Sequence, residues 1–145
     1  MNEDKVRQEI MRMRVLAPLN GGLRTKIANL LIAKGVPQKV AVNAVLFRAG
    51  DPSDDQGIVL LDGEINVEKE GNPGITAYAP DIIGEMAQMN PTRQRTATVT
   101  TQTEIKVLRF KWPALMKAAE AELSEAEFKS FTDALQENAW QHFTE

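Results

Sequence analysis

Between Asp81 and Val99 the chain reads Asp-Ile-Ile-Gly-Glu-Met-Ala-Gln-Met-Asn-Pro-Thr-Arg-Gln-Arg-Thr-Ala-Thr-Val, and this stretch leaves few ways to fold. Pro91 has no amide hydrogen and stops any helix begun at Gly84 within two turns, while Arg95 to Thr101 has the β-branched content of a strand. Together they form a hairpin suited to cradle an anion. Gly84 lets the backbone bend closely, the amides of Glu85, Met86 and Ala87 point outward from a short first helical turn, and the partial positive charge there favours a phosphate. Arg95 faces the cradle in such a hairpin, and its planar guanidinium can hold two phosphate oxygens. Glu85 is an acceptor only when ionised, so a sugar hydroxyl suits it better than a second anion. The ligand these residues imply is a phosphate beside a ribose.

Taken singly, each residue has a plainer reading: Arg95 as a solvated strand-end arginine, Glu85 as an acid complementing a helix dipole. The signal lies in the combination, ten residues apart, with Gly84 before and Thr96-Ala97-Thr98-Val99 after. It resembles the phosphate-binding cassette of cyclic nucleotide-binding domains, a family that includes bacterial catabolite activator proteins, protein kinase A regulatory subunits and nucleotide-gated channels. The segments Val45 to Pro52 and Gly57 to Val67 are similar to the family's second and third glycine-marked hairpins. The chain departs from the family at Pro80, Ile83 and Gln88, where glycine, phenylalanine and leucine are usual. The resemblance implies that Glu85 takes the ribose 2′-hydroxyl and Arg95 the cyclic phosphate, within a ligand set of Gly84, Glu85, Met86, Ala87, Arg95 and Thr96. A hydroxyl at Thr96 is compatible with cAMP or cGMP; cAMP is placed first on the bacterial-style spacing. Arg93 is a loop charge or a second phosphate donor.

A chain of 145 residues with 43% apolar content can bury one core but hardly two, so one domain over 1–145 is expected. No apolar run is long enough to span a bilayer, and Met1-Asn2-Glu3-Asp4 lacks the pattern of a signal peptide, so a cytoplasmic protein that binds no membrane is expected. The absence of cysteine excludes disulfides and thiolate catalysis, and His142 as the only histidine excludes a multi-histidine metal site. With no catalytic constellation in view, no enzyme, cofactor or metal is expected.

Taken in order, apolar positions Val6, Ile10, Met13 and Leu16 predict a helix from Asp4 to Leu16, broken by Pro18 and Gly21-Gly22. A second helix is predicted from Leu23 to Ala33, stopping at Lys34-Gly35. Short strands follow at Lys39–Phe47, Ile58–Leu61, Ile65–Glu68, Ile75–Tyr78, Arg95–Thr101 and Glu104–Phe110, with a turn at Gly71-Asn72-Pro73-Gly74. Strands of this length at roughly 8–12-residue spacing read as a small antiparallel sandwich or jelly-roll barrel. Gly50, Gly57, Gly63, Gly71 and Gly74 read as turn residues between strands, and Tyr78 as core. After Pro113 a short helix ends near Leu123; Ser124-Glu125-Ala126-Glu127 is a capping box opening a last helix with Phe128, Phe131, Leu135, Ala139 and His142 on one face. Trp140 and His142 are read as packing residues. The fold class expected is α+β: an antiparallel jelly-roll barrel of about eight short strands over 37–111, its cassette at 81–99, flanked by helices at 1–36 and 112–145. By the resemblance, the last helix moves over the nucleotide.

Charge is uneven along the chain. Residues 1–50 carry nine Lys or Arg against three acids, and residues 112–145 carry two against seven. Either both ends are solvated helix faces, or the basic end docks on the acidic one, within a chain or between chains. The function expected is a stand-alone cyclic nucleotide sensor that acts on a protein effector or on a second copy of itself through its terminal helices. The alternative is a non-binding barrel working as a constitutive interaction module. A DNA-binding transcription factor ranks third, because after the last helix the sequence leaves no room for a helix-turn-helix.

Overall fold

The computed structural model of the chain describes residues 2–52, 54–69, 74–84 and 94–144, the last six by their backbone alone. Helix α1 (Glu3–Met11) is started by Asn2, whose side chain accepts from the Lys5 amide at 3.2 Å, and carries Glu3 and Asp4 in its first turn. The helix expected to reach Leu16 stops early, and a separate 3-10 turn covers Arg14–Leu16. Met13, Val15 and Leu16 are all buried, which one straight helix face cannot achieve, and an extended Met13 turns all three inward. Helix α2 (Gly21–Lys34) begins two residues earlier than expected. Asn20 accepts from the Leu23 amide at 2.8 Å, so Gly21 and Gly22 form the capped first turn rather than a break.

Eight strands follow among the described residues: β1 (Val36–Val40), β2 (Val45–Phe47), β3 (Gln56–Asp62), β4 (Glu64–Lys69), β5 (Ile75–Tyr78), β6 (Asp81–Ile83), β7 (Ala97–Thr101) and β8 (Ile105–Lys111). They form two four-stranded sheets, ordered β1-β8-β3-β6 and β2-β7-β4-β5, in which every pairing is antiparallel. This is the α+β jelly-roll arrangement that the short-strand pattern predicts. The single strand expected at Lys39–Phe47 is instead two strands in different sheets. Between them Asn43 adopts a left-handed φ of 62°, and Thr101 stitches the corner: its hydroxyl donates to the Ala41 carbonyl at 2.6 Å and accepts from the Ala44 amide at 2.9 Å. Strand β6, paired to β3, lies where the sequence pattern predicts no strand, and the Ala79–Pro80 peptide just before it is cis. The turn expected at 71–74 lies outside the described residues except for Gly74.

Phe47, Ile58, Leu60, Ile65, Val99, Ile105 and Val107 fill the space between the sheets. On the other face of the β1-β8-β3-β6 sheet, Val59, Leu108 and Phe110 pack against the helices. Strand β3 is therefore buried on both sides, which is why it reads as a continuous apolar run rather than an alternation. Gly57, expected in a turn, lies inside β3, where a Cβ would meet the Phe110 ring and come within 2.8 Å of Trp112 Nε1. Tyr78, expected in the core, is 63% exposed on the edge strand β5.

Helix α3 (Trp112–Glu122) leads into α4 (Glu125–Thr144). The capping box forms as predicted: the Ser124 amide donates to Glu127 Oε1 at 2.9 Å and the Glu127 amide to Ser124 Oγ at 3.1 Å. The Ser124 amide first, and then Lys26, hold the Glu127 carboxyl below its ordinary range. Lys26 of the basic end reaches Glu127 of the acidic end at 2.9 Å. An exposed pair of this kind contributes little, and Phe131, Ala134 and Leu135, buried in the same cluster as the N-terminal helices, supply most of the contact. Phe131→Ala is expected to lower the free energy of unfolding by about 3–5 kcal/mol in a urea titration. A loss below about 1 kcal/mol would mean that α4 is not held by this ring.

Candidate functional site

Arg95 lies just before β7, and the turn at 50–52 fixes its backbone. Its amide donates to the Asp51 carbonyl at 2.8 Å, its carbonyl accepts from the Gly50 amide at 2.9 Å, and Gln94 pairs with Pro52 as an isolated bridge. The side chain runs inward and is only 6% exposed. Its Nη2 donates to Asp54 Oδ1 at 2.7 Å and to the Gln56 carbonyl at 3.0 Å, and the guanidinium carbon stands 3.8 Å from the centre of the Phe47 ring. Such stacking suits a planar, weakly hydrated cation.

Asp54 is half in water, with its side chain 57% exposed. Burial pushes its carboxyl up, but the Gln56 amide at 3.1 Å, the Arg95 hydrogen bond and the charges of Arg95 and Lys111 outweigh that, holding it below the ordinary carboxylate range. It is therefore ionised at neutral pH and balances the arginine from one side.

The other terminal nitrogen differs. Among the described residues, Arg95 Nη1 is buried and has no hydrogen-bond partner. Leaving a charged donor buried and unsatisfied costs more than the roughly 1–3 kcal/mol of a neutral one, so the place calls for an acceptor. Gly84 borders that place: it has φ +103°, and a Cβ built on it would come within 2.8 Å of the Gln56 carbonyl and 3.1 Å of Arg95 Nη1. A glycine is required there both by the backbone and by the space in front of the guanidinium. An oxyanion bound at Nη1 would sit against bare backbone at Gly84.

Of the residues singled out in the sequence, Gly84 and Arg95 are thus brought together from elements eleven positions apart, and Thr96, next in the chain, is half-buried. Glu85, Met86 and Ala87, with Gln88 and Arg93, lie outside the described residues, as do the side chains of Trp140 and His142. Sequence reasoning missed Phe47, Asp54 and the Gln56 carbonyl. A signal existed in the acidic run Asp51-Pro52-Ser53-Asp54-Asp55, but nothing local shows which acid meets an arginine about forty positions away.

Residues 37–122 match the family described as the cyclic nucleotide-binding domain. No curated protein matches the chain by sequence. Among solved structures, the sensor domain of the transcriptional regulator DNR from Pseudomonas aeruginosa is similar with a TM-score of 0.67 at 15% identity, over 94% of this chain and 91% of that one. The N-terminal domain of a transcriptional regulator from Streptomyces coelicolor gives 0.67 at 21%, over 93% and 92%. The regulatory domain of Toxoplasma gondii PKA, solved with cAMP, gives 0.66 at 20%, over 88% of this chain and 46% of that one. At these identities the structural likenesses establish the fold.

Gly84→Ala should force a side chain into the positive-φ position and destabilise the protein by about 1–3 kcal/mol in chemical denaturation. An unchanged midpoint would show that the backbone at Gly84 relaxes freely and that the cradle is not built on it.

Proposed function

The chain belongs to the cyclic nucleotide-binding domain family, and from that premise we propose that it is a sensor that binds a cyclic purine mononucleotide and does no chemistry on it. The observation that carries the reading is the buried Arg95 guanidinium, with one nitrogen anchored on Asp54 and the other open beside Gly84. In this reading Arg95 Nη1 donates to the cyclic phosphate and the backbone from Gly84 through Glu85, Met86 and Ala87 lines it. Glu85 accepts from the ribose 2′-hydroxyl, and Thr96 stands near the base. cAMP comes first, supported by the likeness to a PKA regulatory domain that holds it, and cGMP second. Residues 1–145 act as one domain, and the output passes to a protein effector or a second copy. Among the described residues no helix is long and apolar enough to cross a membrane.

The segment from Asp54 to Gly57 supports a coupling between ligand and the C-terminal helices. On one side it holds Arg95 through the Asp54 carboxylate and the Gln56 carbonyl. On the other the Asp55 carbonyl accepts from the Trp112 amide at 2.8 Å, and the Asp54 carbonyl from Lys111 Nζ at 2.9 Å, where α3 begins. A ligand that draws on Arg95 shifts this segment, and with it the start of α3 and the seat of α4.

Arg95→Ala tests the binding claim. Truncating one partner of a desolvated charge pair costs about 2–5 kcal/mol, so cAMP should bind roughly 30- to several-thousand-fold more weakly by calorimetry. Equal affinity in the parent and the variant would overturn the assignment. Amide exchange tests the coupling: the backbone of Phe128 to Trp140 should gain more protection on adding cAMP than β1 and β2 do. Equal protection with and without a ligand shown to bind would leave a passive pocket.

A further inference from the structure

On the helix-covered face of the β1-β8-β3-β6 sheet, away from Arg95, α1 and the strand ends enclose a cleft of about 650 Å³. We infer that this cleft is a second ligand site, for a small phosphorylated molecule that carries at least two negative charges beside an apolar body. Its volume falls within the range of about 300–1,000 Å³ typical of small-molecule sites. Three lysines line it from three elements: Lys5 of α1, Lys39 of β1 and Lys106 of β8. Lys39 and Lys106 face each other directly in the β1-β8 register, an arrangement of like charges that destabilises a sheet unless a counter-charge is present.

The described residues supply that counter-charge only in part. Among the described residues no ion pair engages Lys5, Lys39 or Lys106. Glu9 also lines the cleft, but its carboxylate is taken by Arg12 at 2.7 Å. Asp62 stands beside Lys106 in the β3-β8 register without pairing to it, which leaves the cleft with an excess of positive charge. Lysine is a compact point charge well suited to phosphate, and with Asp62 set against one of the three ammonium groups roughly two positive charges remain, about what one phosphate monoester carries at neutral pH. Val6, Pro37 and Leu61 give the cleft an apolar wall, which a bare inorganic ion leaves unused.

The site is separate from the one proposed for cyclic nucleotide. Arg95 bonds to Gln56 at the start of β3, on the inter-sheet side, whereas Leu61 and Asp62 mark its far end on the helix side, about 17–20 Å along the strand. The inference therefore stands whether or not Arg95 binds a cyclic phosphate.

Titration of the parent protein with ADP, followed by amide chemical shifts, tests it. The expected result is saturable shifts centred on Lys5, Lys39 and Lys106, weakened roughly tenfold or more by Lys39→Ala with Lys106→Ala and by raised salt. Both lysines are exposed and repel each other across the register, so the double variant should keep or raise its melting temperature; the map on the parent protein decides the matter even if it does not. Shifts centred instead on Gly84 and Arg95, no saturable shifts, or affinity unchanged in a folded double variant would overturn the inference. So would pyrophosphate binding as tightly as ADP, because the apolar wall would then contribute nothing.

Discussion

Burying a guanidinium requires that nearly all its donors find acceptors, since the charge cannot be shed by deprotonation. Around Arg95 the described residues meet that demand on one side only. Asp54 and the Gln56 carbonyl take Nη2, the Phe47 ring covers the flat face, and Nη1 stays open beside Gly84. The carboxylate that makes burial tolerable also weakens the arginine's pull on a second anion. Because Asp54 is more than half exposed, its charge is well screened by water, and a positive field remains at the buried end of the pair.

The surrounding architecture serves this arrangement. Strand β3 forms a thin wall, with the inter-sheet core and the arginine on one side and the helices on the other. Gly57 lets the wall be thin: its missing side chain is the space taken by Phe110 and Trp112, whose rings meet edge to face at 4.9 Å. The residues just before it, Asp54 to Gln56, bond to Arg95 in one direction and to Lys111 and Trp112 in the other. A displacement at the arginine and a displacement at the root of α3 are thus movements of one short segment.

The helices at the two ends of the chain meet in a single apolar cluster on that wall. Opposite charge helps align them, as Lys26 and Glu127 show, but the burial of Phe131, Ala134 and Leu135 against Val15, Leu16 and their neighbours accounts for the hold. A helix docked by one apolar face and capped at its own N-terminus can leave as a unit without unfolding, because its cap bonds are local.

What the sequence by itself determined was local or periodic. The Ser124–Glu127 capping box, the short-strand pattern between Ile58 and Phe110 and the pairing of Gly84 with Arg95 follow from short-range hydrogen bonding, side-chain alternation and turn chemistry, all of which act within a dozen residues. Tertiary structure decided everything that depends on a distant partner. Residues 39–47 have strand propensity throughout, yet they divide at Asn43 because Thr101, nearly sixty positions away, bonds both sides of the corner and each half finds a different sheet. Tyr78 is exposed because β5 ends its sheet, a matter of strand order that no local pattern encodes. Asp54 rather than Asp51 meets Arg95 through its side chain, and among the described residues one nitrogen of that arginine is left without a partner, because packing alone fixes which groups share a buried space.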